Sequence, residues 1–345
     1  MADAAPRAPS LLALPKAELH FHLEGSIEPA TAVELAARHG IQITEQEVAT
    51  RFAPGNFAKF LDAFKWVTSF LRDPSDYALI MERAAQSLAR QNILYAEITL
   101  SAGVMLLRQQ DPAANLDAIR VAARKIPSIR CAWIFDCVRQ FGHAAAMRVA
   151  ESAAALRGED VIAFGMGGDE LSLPASEFRA AYDFAAAAGL HRLVHAGETG
   201  GPDAVSEAID VLGAERIGHG IAAMRSEALM DSLAQSGVPL EICPTSNFRT
   251  GALARQLAKP AVSEADHPLA MLVRRGVRVT LGDDDPAMFE TSLTAEYELA
   301  QRIGFAPDEL VRLARSGFEC AFLDPPTRHA LLAAFESGRK AAGLV

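Results

Sequence analysis

Two histidines one residue apart are the first candidates for chemistry. His20 and His22 lie in PKAELHFHLEG, a short apolar run that is typical of a buried strand. Because side chains alternate along a strand, residues two apart point to the same face. Two unpaired buried imidazoles would be costly, and a divalent metal ion would relieve that cost because neutral imidazole is a common ligand. The spacing alone also fits two hydrogen-bonded core histidines.

Three further segments place titratable side chains at the ends of apolar runs. They are HAGE (195–198) with His195 and Glu198, RIGHG (216–220) with His219, and TLGDDDP (280–286) with Asp283, Asp284 and Asp285. Adjacent carboxylates repel each other, and a nearby cation would relieve that repulsion. Strand alternation would send Asp284 to one side and its two neighbours to the other, unless a tight turn rearranges them. Four polar clusters at four strand ends favour a metal-dependent catalytic site. The remaining histidines are expected at the surface or on helices: His39, His143, His191, His267 and His329.

Eight short apolar runs alternate along the chain with amphipathic helical patterns. The predicted strands are 17–23, 93–100, 130–137, 161–167, 192–196, 216–220, 239–243 and 277–283. The helical patterns include 176–189 and 267–276, and Gly189 and Gly276 stand where these helices should stop. Strands alternating with helices predict parallel pairing, and eight such units close a (β/α)₈ TIM barrel. An open doubly wound α/β sheet is the alternative, but no GxGxxG motif opens the first unit.

Two regions exceed a minimal barrel. Residues 26–75 predict a helical, lid-like insertion after the first strand, where it would lie over the catalytic face. Four apolar residues of this insertion have helical spacing: Phe57, Phe60, Leu61 and Phe64. That spacing is more typical of core packing than of a substrate pocket, and the alternative in this insertion is that the four residues line the base site. Residues 290–342 predict further helices on the outside. No internal repeat or linker is present, so we expect a single domain over 1–345, with 1–14 as a loose N-terminal tail.

The composition limits the possible partners. The chain has 345 residues, of which 50% are hydrophobic, and a formal net charge of −10. This charge argues against nucleic acid as the partner. No apolar run reaches the ~18 residues that a membrane span needs, and the N-terminus lacks the pattern of a signal peptide. The four cysteines show no CxxC spacing, which favours a reducing cytoplasm, and Cys243 is expected to pack near a strand end. The composition is compatible with a homo-oligomer.

Taken together, the segments resemble the adenosine deaminase family over most of the chain. Six motifs occur in the family's order and at about its spacing: PKAELHFHLEG, GGDE (167–170), HAGE, RIGHG, CPTSN (243–247) and DDP (284–286). The resemblance implies zinc-dependent hydrolytic deamination of a 6-aminopurine. Nucleic-acid cytidine deaminases use an HxE…PCxxC zinc motif that is absent here. Related barrel hydrolases with two metals carry a lysine on the fourth strand, and VIAFGMGG contains none, which favours one Zn²⁺ per chain.

The resemblance also implies roles for the matched residues. The zinc ligands would be His20, His22, His195 and Asp284, and the substrate-binding residues would be Gly168, Glu24, Asp285 and His22. Glu198 matches the acid that protonates N1 of the purine, and His219 matches the residue that orients water and takes its proton. Asp285 matches the residue that hydrogen-bonds N7, and Gly168 matches the glycine whose backbone N–H reaches N3. Glu24 stands where nucleoside deaminases have an aspartate that contacts the sugar.

The motifs do not fix the substrate. Gly-Asp-Glu at 168–170 resembles the nucleoside branch, so adenosine and 2′-deoxyadenosine, giving the inosines and ammonia, are the first choice. The alternatives are a bulkier nucleoside, such as aminodeoxyfutalosine of menaquinone synthesis, and free adenine, which HLEG at 22–25 favours. Gly282 and Asp283 stand before Asp-Asp-Pro, where the family commonly has Asn-Thr or Asn-Ser, and Asp283 is expected to support a metal ligand. Another amidohydrolase or a non-catalytic metal-binding barrel is the alternative class, although such a protein would be expected to lack Glu198 or a ligand.

Overall fold

The computed structural model describes residues 11–158 and 160–344, so residues 1–10 of the predicted tail lie outside the described residues. The described chain contains eight strands, β1 to β8 in order: Lys16–His22, Ile93–Leu100, Arg130–Val138, Val161–Gly167, His191–Ala196, Arg216–His219, Leu240–Ile242 and Val279–Leu281. Each coincides with one of the predicted apolar runs to within two residues at either end. The β-branched and aliphatic residues of these runs therefore sufficed to locate every strand of this part of the chain.

The strands form a nearly closed parallel barrel in chain order, β1 to β8. Backbone hydrogen bonds join the last strand to the first: the N–H of His22 donates to the carbonyl of Asp284 at 2.9 Å, and the N–H of Asp284 donates to the carbonyl of His20 at 2.9 Å. This order confirms the predicted (β/α)₈ TIM barrel, since a doubly wound sheet would reverse its strand order partway.

The helices that surround this barrel are, in chain order, α1 to α17: Pro29–Arg38, Glu45–Phe52, Phe57–Thr68, Pro74–Arg90, Ala102–Leu107, Pro112–Ala123, His143–Ala155, Arg179–Ala187, Pro202–Asp210, Glu227–Ser236, Pro244–Arg249, Ala252–Leu257, Leu269–Arg274, Pro286–Phe289, Leu293–Ile303, Pro307–Cys320 and Pro325–Ala341. Gly189 and Gly276 follow α8 and α13 with φ of 76° and 87°. Both glycines thus end their helices in the left-handed conformation, as predicted.

The insertion after β1 consists of α1, α2 and α3, and side-chain caps fix where two of these helices begin. Thr44 and Glu47 form a reciprocal capping box at α2, and the Asn56 side chain accepts the N–H of Lys59 at α3.

Of the C-terminal helices, α16 packs against both β1 and β8. Most buried apolar side chains belong to one continuous core that includes Leu14 and Leu344; the single domain over 1–345 stays a prediction. No helix in the described ranges has the length and apolar character needed to cross a membrane.

A buried ionic network fills the barrel at the end opposite to the mouth. Arg216 of β6 donates to Glu241 of β7 and to Glu97 of β2, each at 2.5 Å, and a further nitrogen donates to the carbonyl of Cys320. The guanidinium also lies 3.7 Å from the centroid of the Phe322 ring. Fully paired charges are the form in which burial of an arginine is tolerated. The network therefore fixes the position of Glu241, which matters for the site above it.

Candidate active site

The predicted metal ligands meet at the mouth of the barrel. His20 and His22 come from β1, His195 comes from β5, and Asp284 follows β8; each offers a ligand atom within 4.8 Å of all the others. The Nε2 atoms of His22 and His195 are 3.2 Å apart. Asp284 Oδ1 lies 3.4 Å from His20 Nε2 and 3.3 Å from His22 Nε2. Four residues that are distant along the chain thus form one compact cluster.

The geometry of this cluster fits a tetrahedral zinc ion. Ligands placed 2.0–2.1 Å from a common centre are about 3.3 Å from one another, which is close to the three separations given above. The Nδ1 atom of His195 lies 3.1 Å from the carbonyl oxygen of Met166. Since a carbonyl can only accept, Nδ1 carries the proton and Nε2 presents a lone pair to the cluster. His20 Nε2 is buried and makes no hydrogen bond.

Glu241 orients His20, and sequence reasoning missed this residue. Its Oε2 lies 2.9 Å from His20 Nδ1, so that the ring's other nitrogen faces the cluster. Burial opposes ionisation, but the nearby charge of Arg216 holds the pKa of Glu241 below its ordinary value. A charged residue inside the otherwise apolar run PLEIC (239–243) was the available sequence signal. The contact itself joins residues 221 positions apart, which no local pattern indicates.

We expect Glu241→Gln to weaken zinc binding about 10- to 100-fold, because a neutral amide holds His20 in its ligand orientation less firmly than a carboxylate. Competition with a chromophoric chelator measures the affinity, and circular dichroism checks that the loss of the Arg216 ion pair leaves the fold intact. Glu215→Gln is the matched control, since Glu215 pairs with His191 Nδ1 at 3.0 Å away from the cluster. Equal zinc affinity for Glu241→Gln and the unaltered protein would contradict the orienting role.

Two site residues have unusual backbone conformations. His219 and Asp284 both have a φ of 61°, a left-handed conformation that is uncommon for residues other than glycine. At Asp284 this turn breaks strand alternation, so Asp284 and Asp285 both line the cavity while Asp283 does not. Simple alternation, with Asp283 and Asp285 on one side, is therefore wrong, and the tight-turn alternative is observed. Among the described residues, no hydrogen-bond partner reaches either carboxylate oxygen of Asp283, and its supporting role stays a prediction.

The two residues predicted to move protons lie beside the cluster. His219 Nε2 is 3.6 Å from Glu198 Oε2 and 3.8 Å from Asp284 Oδ2, and all three side chains are buried. Burial raises the pKa of Glu198 well above its ordinary value, and the charges of Asp284 and Glu170 act in the same direction. Burial lowers the pKa of His219 to about 3. The pair therefore combines a protonated carboxyl group with a neutral imidazole, which is an acid beside a base.

Asn247 and His267 form a chain of side-chain contacts that leads to His219. Asn247 Nδ2 is 3.4 Å from His219 Nδ1, and Asn247 Oδ1 is 3.2 Å from His267 Nε2. His267 is buried, with 4% of its surface exposed. The expectation that it lies at the surface or on a helix is therefore wrong. The segment HPLAMLVRRG begins its helix only at Leu269, which leaves the histidine ring directed inward toward Asn247.

Glu170 fixes the turn that carries Glu198. Its carboxylate accepts backbone N–H groups from Gly197, Thr199 and Gly200 at 2.5, 2.9 and 2.7 Å. The hydroxyl of Thr250 is 3.3 Å from Glu198 Oε1. The GGDE motif contributes this carboxylate, although the sequence offered no indication that Glu170 would contact the HAGE turn. Charge-assisted hydrogen bonds to three successive parts of one turn leave Glu198 little freedom to move.

A cavity above the cluster is lined on one side by polar groups and on the other by the insertion. Much of the apolar lining comes from one face of α3: Phe57, Phe60, Leu61 and Phe64. The core role holds in part, since Phe60 and Phe64 also pack against a small apolar cluster, and the alternative position beside the cavity is observed for all four residues. Periodicity could not reveal this, because a helix face has the same spacing whether it covers a core or a ligand cavity.

Three of the four predicted substrate-binding residues line this cavity. They are His22, Gly168 and Asp285. A side chain at Gly25 would place its Cβ 1.9 Å from Asp285 Oδ1, so this glycine makes room for the aspartate. Glu24 is not part of the lining: it accepts the N–H of Ser101 at 3.0 Å, and Ser101 lines the cavity instead. Contact between Glu24 and substrate stays a prediction.

Comparison with known proteins places this site in a family. The family model described as adenosine deaminase matches residues 15–337. The chain belongs to the adenosine deaminase family. It is therefore a hydrolase of the metal-dependent deaminases, which act on the C–N bonds of cyclic amidines.

Relatives with known names share most of the chain. An aminodeoxyfutalosine deaminase from Streptomyces coelicolor is 40% identical over 91% of this chain and 81% of its own. An adenine deaminase from Agrobacterium fabrum is 36% identical over 92% and 97%. Among solved structures, an adenine deaminase from Arthrobacter aurescens superposes with a TM-score of 0.87 at 27% identity, covering 95% and 99%. An amidohydrolase from Burkholderia ambifaria with bound Zn gives a TM-score of 0.87 at 25% identity, covering 96% and 93%.

Proposed function

We propose that this protein is a zinc-dependent deaminase of a 6-aminopurine nucleoside bulkier than adenosine, with aminodeoxyfutalosine as the leading substrate. The observation that carries the proposal is the apolar face of α3 beside the metal cluster, which suits an apolar extension of the nucleoside. The 40% identical relative named for that substrate supports the same choice. Adenosine and 2′-deoxyadenosine, which the motifs alone favour, have weaker support because the relatives above are named for other substrates.

His20, His22, His195 and Asp284 would hold one zinc ion per chain. When bound, zinc supplies a Lewis acid that makes water an effective nucleophile near neutral pH. The three imidazoles and one carboxylate suit zinc in both ligand type and geometry. Burial is the largest cause of the lowered pKa values of His22 (about 4) and His195. Both rings therefore stay neutral at neutral pH and can donate a lone pair.

The surrounding side chains would carry the protons of the reaction. His219 accepts a proton from the water that adds to C6, and Glu198 donates its proton to N1. Burial raises the pKa of Asp285, and the charge of Asp284 raises it further. The carboxyl group of Asp285 would therefore be protonated and would donate a hydrogen bond to N7. The backbone N–H of Gly168, which lines the cavity, would donate to N3. The C6–N bond would then break as the amino group takes the proton held by His219 and leaves as ammonia. The hydroxyl on C6 returns its proton to Glu198 and N1 keeps its own, so the product is a 6-oxopurine.

Free adenine is the second candidate substrate. The Glu-Gly form of the motif HLEG at 22–25 favours this substrate. Burial raises the pKa of Glu24 to about 7, and its carboxyl group accepts the N–H of Ser101, which lines the cavity. The adenine deaminase relative, matched over 97% of its length, supports this reading.

A substrate panel tests the proposed function. We expect kcat/KM for aminodeoxyfutalosine to exceed that for adenosine at least about tenfold, because the apolar extension gains contacts that adenosine lacks. Adenine, 2′-deoxyadenosine and N6-substituted adenines complete the panel, and ammonia release is measured alongside purine absorbance. A clear lead for adenine would replace the first candidate by the second. Ammonia from none of these compounds would contradict 6-aminopurine deamination and favour another amidohydrolase or a non-catalytic barrel.

A further inference from the structure

Asp136 is a buried carboxylate in the cavity that has no part in the chemistry described above. It lies near the end of β3, lines the cavity and is 6% exposed. Within the described residues, its Oδ1 makes no hydrogen bond. A buried carboxylate oxygen without a donor is costly, so its position calls for an explanation.

The neighbouring strand is shaped to accommodate this carboxylate. Asp136 pairs in register with Gly165 of β4. A Cβ at Gly165 would come within 2.6 Å of Asp136 Oδ1, and a Cβ at Gly167 within 2.9 Å of Oδ2. Side chains at these two positions would displace the carboxylate from the bare backbone against which it lies. The sequence of β4 thus maintains a place for Asp136 at the cavity wall.

The protein supplies little that would stabilise the charge of Asp136. Burial raises its pKa to about 8, opposed by the backbone N–H of Gly167 and, more weakly, by His20 and Arg139. The Arg139 guanidinium donates to the carbonyls of Leu173 and His195 instead. Oδ1 is fully buried on the Gly165 side, so a bound molecule would meet the carboxylate through the part of Asp136 that lines the cavity. A hydrogen-bond donor there would stabilise the carboxylate.

The order of the strands indicates which edge of the substrate faces Asp136. This step rests on the proposed function, in which Glu198 after β5 meets N1, Gly168 after β4 meets N3, and Asp285 after β8 meets N7. Around the rim of a purine the nitrogens follow the order N1, N3, N9, N7. Around the barrel, β5 and β4 are followed by β3 and β2 before β1 and β8 are reached. The N9 edge therefore faces β3 and β2, which carry Asp136 and Ser101.

We propose that Asp136 is a specificity residue that accepts a hydrogen bond from a donor on the N9 side of the substrate. In a nucleoside that donor is a sugar hydroxyl, and in the free base it is the N9–H group. The sugar hydroxyl and the N9–H group would each donate a hydrogen bond to the carboxylate of Asp136. They can be told apart because removal of a hydroxyl alters only nucleoside substrates, whereas methylation at N9 alters only the free base.

Substrate pairs measured with the unaltered protein and with Asp136→Asn test this role. The pairs are adenine with 9-methyladenine, and adenosine with its 2′-deoxy and 3′-deoxy analogues. We expect loss of the relevant donor to lower kcat/KM of the unaltered protein about 10- to 100-fold. In Asp136→Ala, which removes the acceptor, the same loss should change kcat/KM less than about threefold. Asp136→Asn, which removes the charge and leaves a weaker amide acceptor, should show an intermediate change.

The controls separate this role from a structural one. Adenine and N6-methyladenine differ away from the N9 edge, so their ratio should be the same in all three proteins, and zinc content should be unchanged. An effect confined to the adenine pair identifies N9–H as the donor, and one confined to the adenosine series identifies a hydroxyl. Undiminished discrimination in Asp136→Ala, or an equal fall for every substrate, would overturn the role of Asp136 while leaving the proposed function in place. No deamination by the unaltered protein would overturn both.

Discussion

Glu198→Gln is expected to retain its metal and to lose about 10²- to 10⁴-fold in kcat. Glutamine has nearly the same size and can keep the contact with the Thr250 hydroxyl, which lies 3.3 Å from Glu198 Oε1. It has no acidic proton to give to N1, so C6 is not made more electrophilic as water adds. Because burial keeps the carboxyl of Glu198 protonated, the change removes the form of the residue that the reaction needs.

Ammonia release under saturating substrate, together with zinc analysis of the same sample, measures this effect. Glu207→Gln is the matched control, since Glu207 on α9 accepts the N–H of Ser176 and does not line the cavity. The control should turn over at the rate of the unaltered protein. A Glu198→Gln rate within a few-fold of that value would remove Glu198 from the mechanism.

Removal of the metal is expected to lower deamination by several orders of magnitude, because water near neutral pH is a poor nucleophile without a Lewis acid. The protein's own groups cannot compensate, since the neighbouring histidines His195 and His219 have pKa values lowered by burial. The fold should survive, because the barrel is closed by backbone hydrogen bonds and a continuous apolar core.

Chelation followed by titration with zinc measures this dependence. Activity should return in proportion to added zinc and level off at about one ion per chain, while circular dichroism stays constant. Asp284→Asn should need far more zinc to reach the same activity, because an amide is a weaker ligand than a carboxylate. Activity that is indifferent to chelation, or a plateau at two ions per chain, would contradict the proposed single-metal site.

The barrel could be predicted from the sequence because its information is local. Each strand is a short apolar run, and the ligand-bearing segments lie at the ends of these runs, where a parallel barrel brings strand ends together. HxH spacing on β1 likewise needs only the alternation of side chains along one strand. These features can be predicted without knowledge of the tertiary structure, because each depends on a few consecutive residues.

The parts that could not be predicted depend on contacts across the barrel or on one unusual backbone angle. The pairing of Glu241 with His20 joins opposite parts of the chain and has no motif. The positive φ of Asp284 reversed the expected grouping of the three aspartates. The helix face beginning at Phe57 had the spacing of a core helix, and only its position across the mouth made it a cavity wall.

Substrate choice was hard to predict for a related reason. The motifs are concentrated on the residues expected to contact the metal and the reacting edge of the purine. The cavity wall that would face the opposite edge of the purine includes Asp136, Ser101 and the insertion. These residues belong to none of the metal-binding or proton-transfer motifs. The sequence therefore indicated the reaction more clearly than the molecule on which it acts.

X-ray diffraction from crystals of the zinc-loaded protein, recorded on both sides of the zinc absorption edge, tests the central claim most directly. The account predicts one anomalous peak at the barrel mouth, about 2.0–2.2 Å from one atom each of His20, His22, His195 and Asp284. Zinc bound elsewhere, with these four side chains turned away from a common centre, would contradict it.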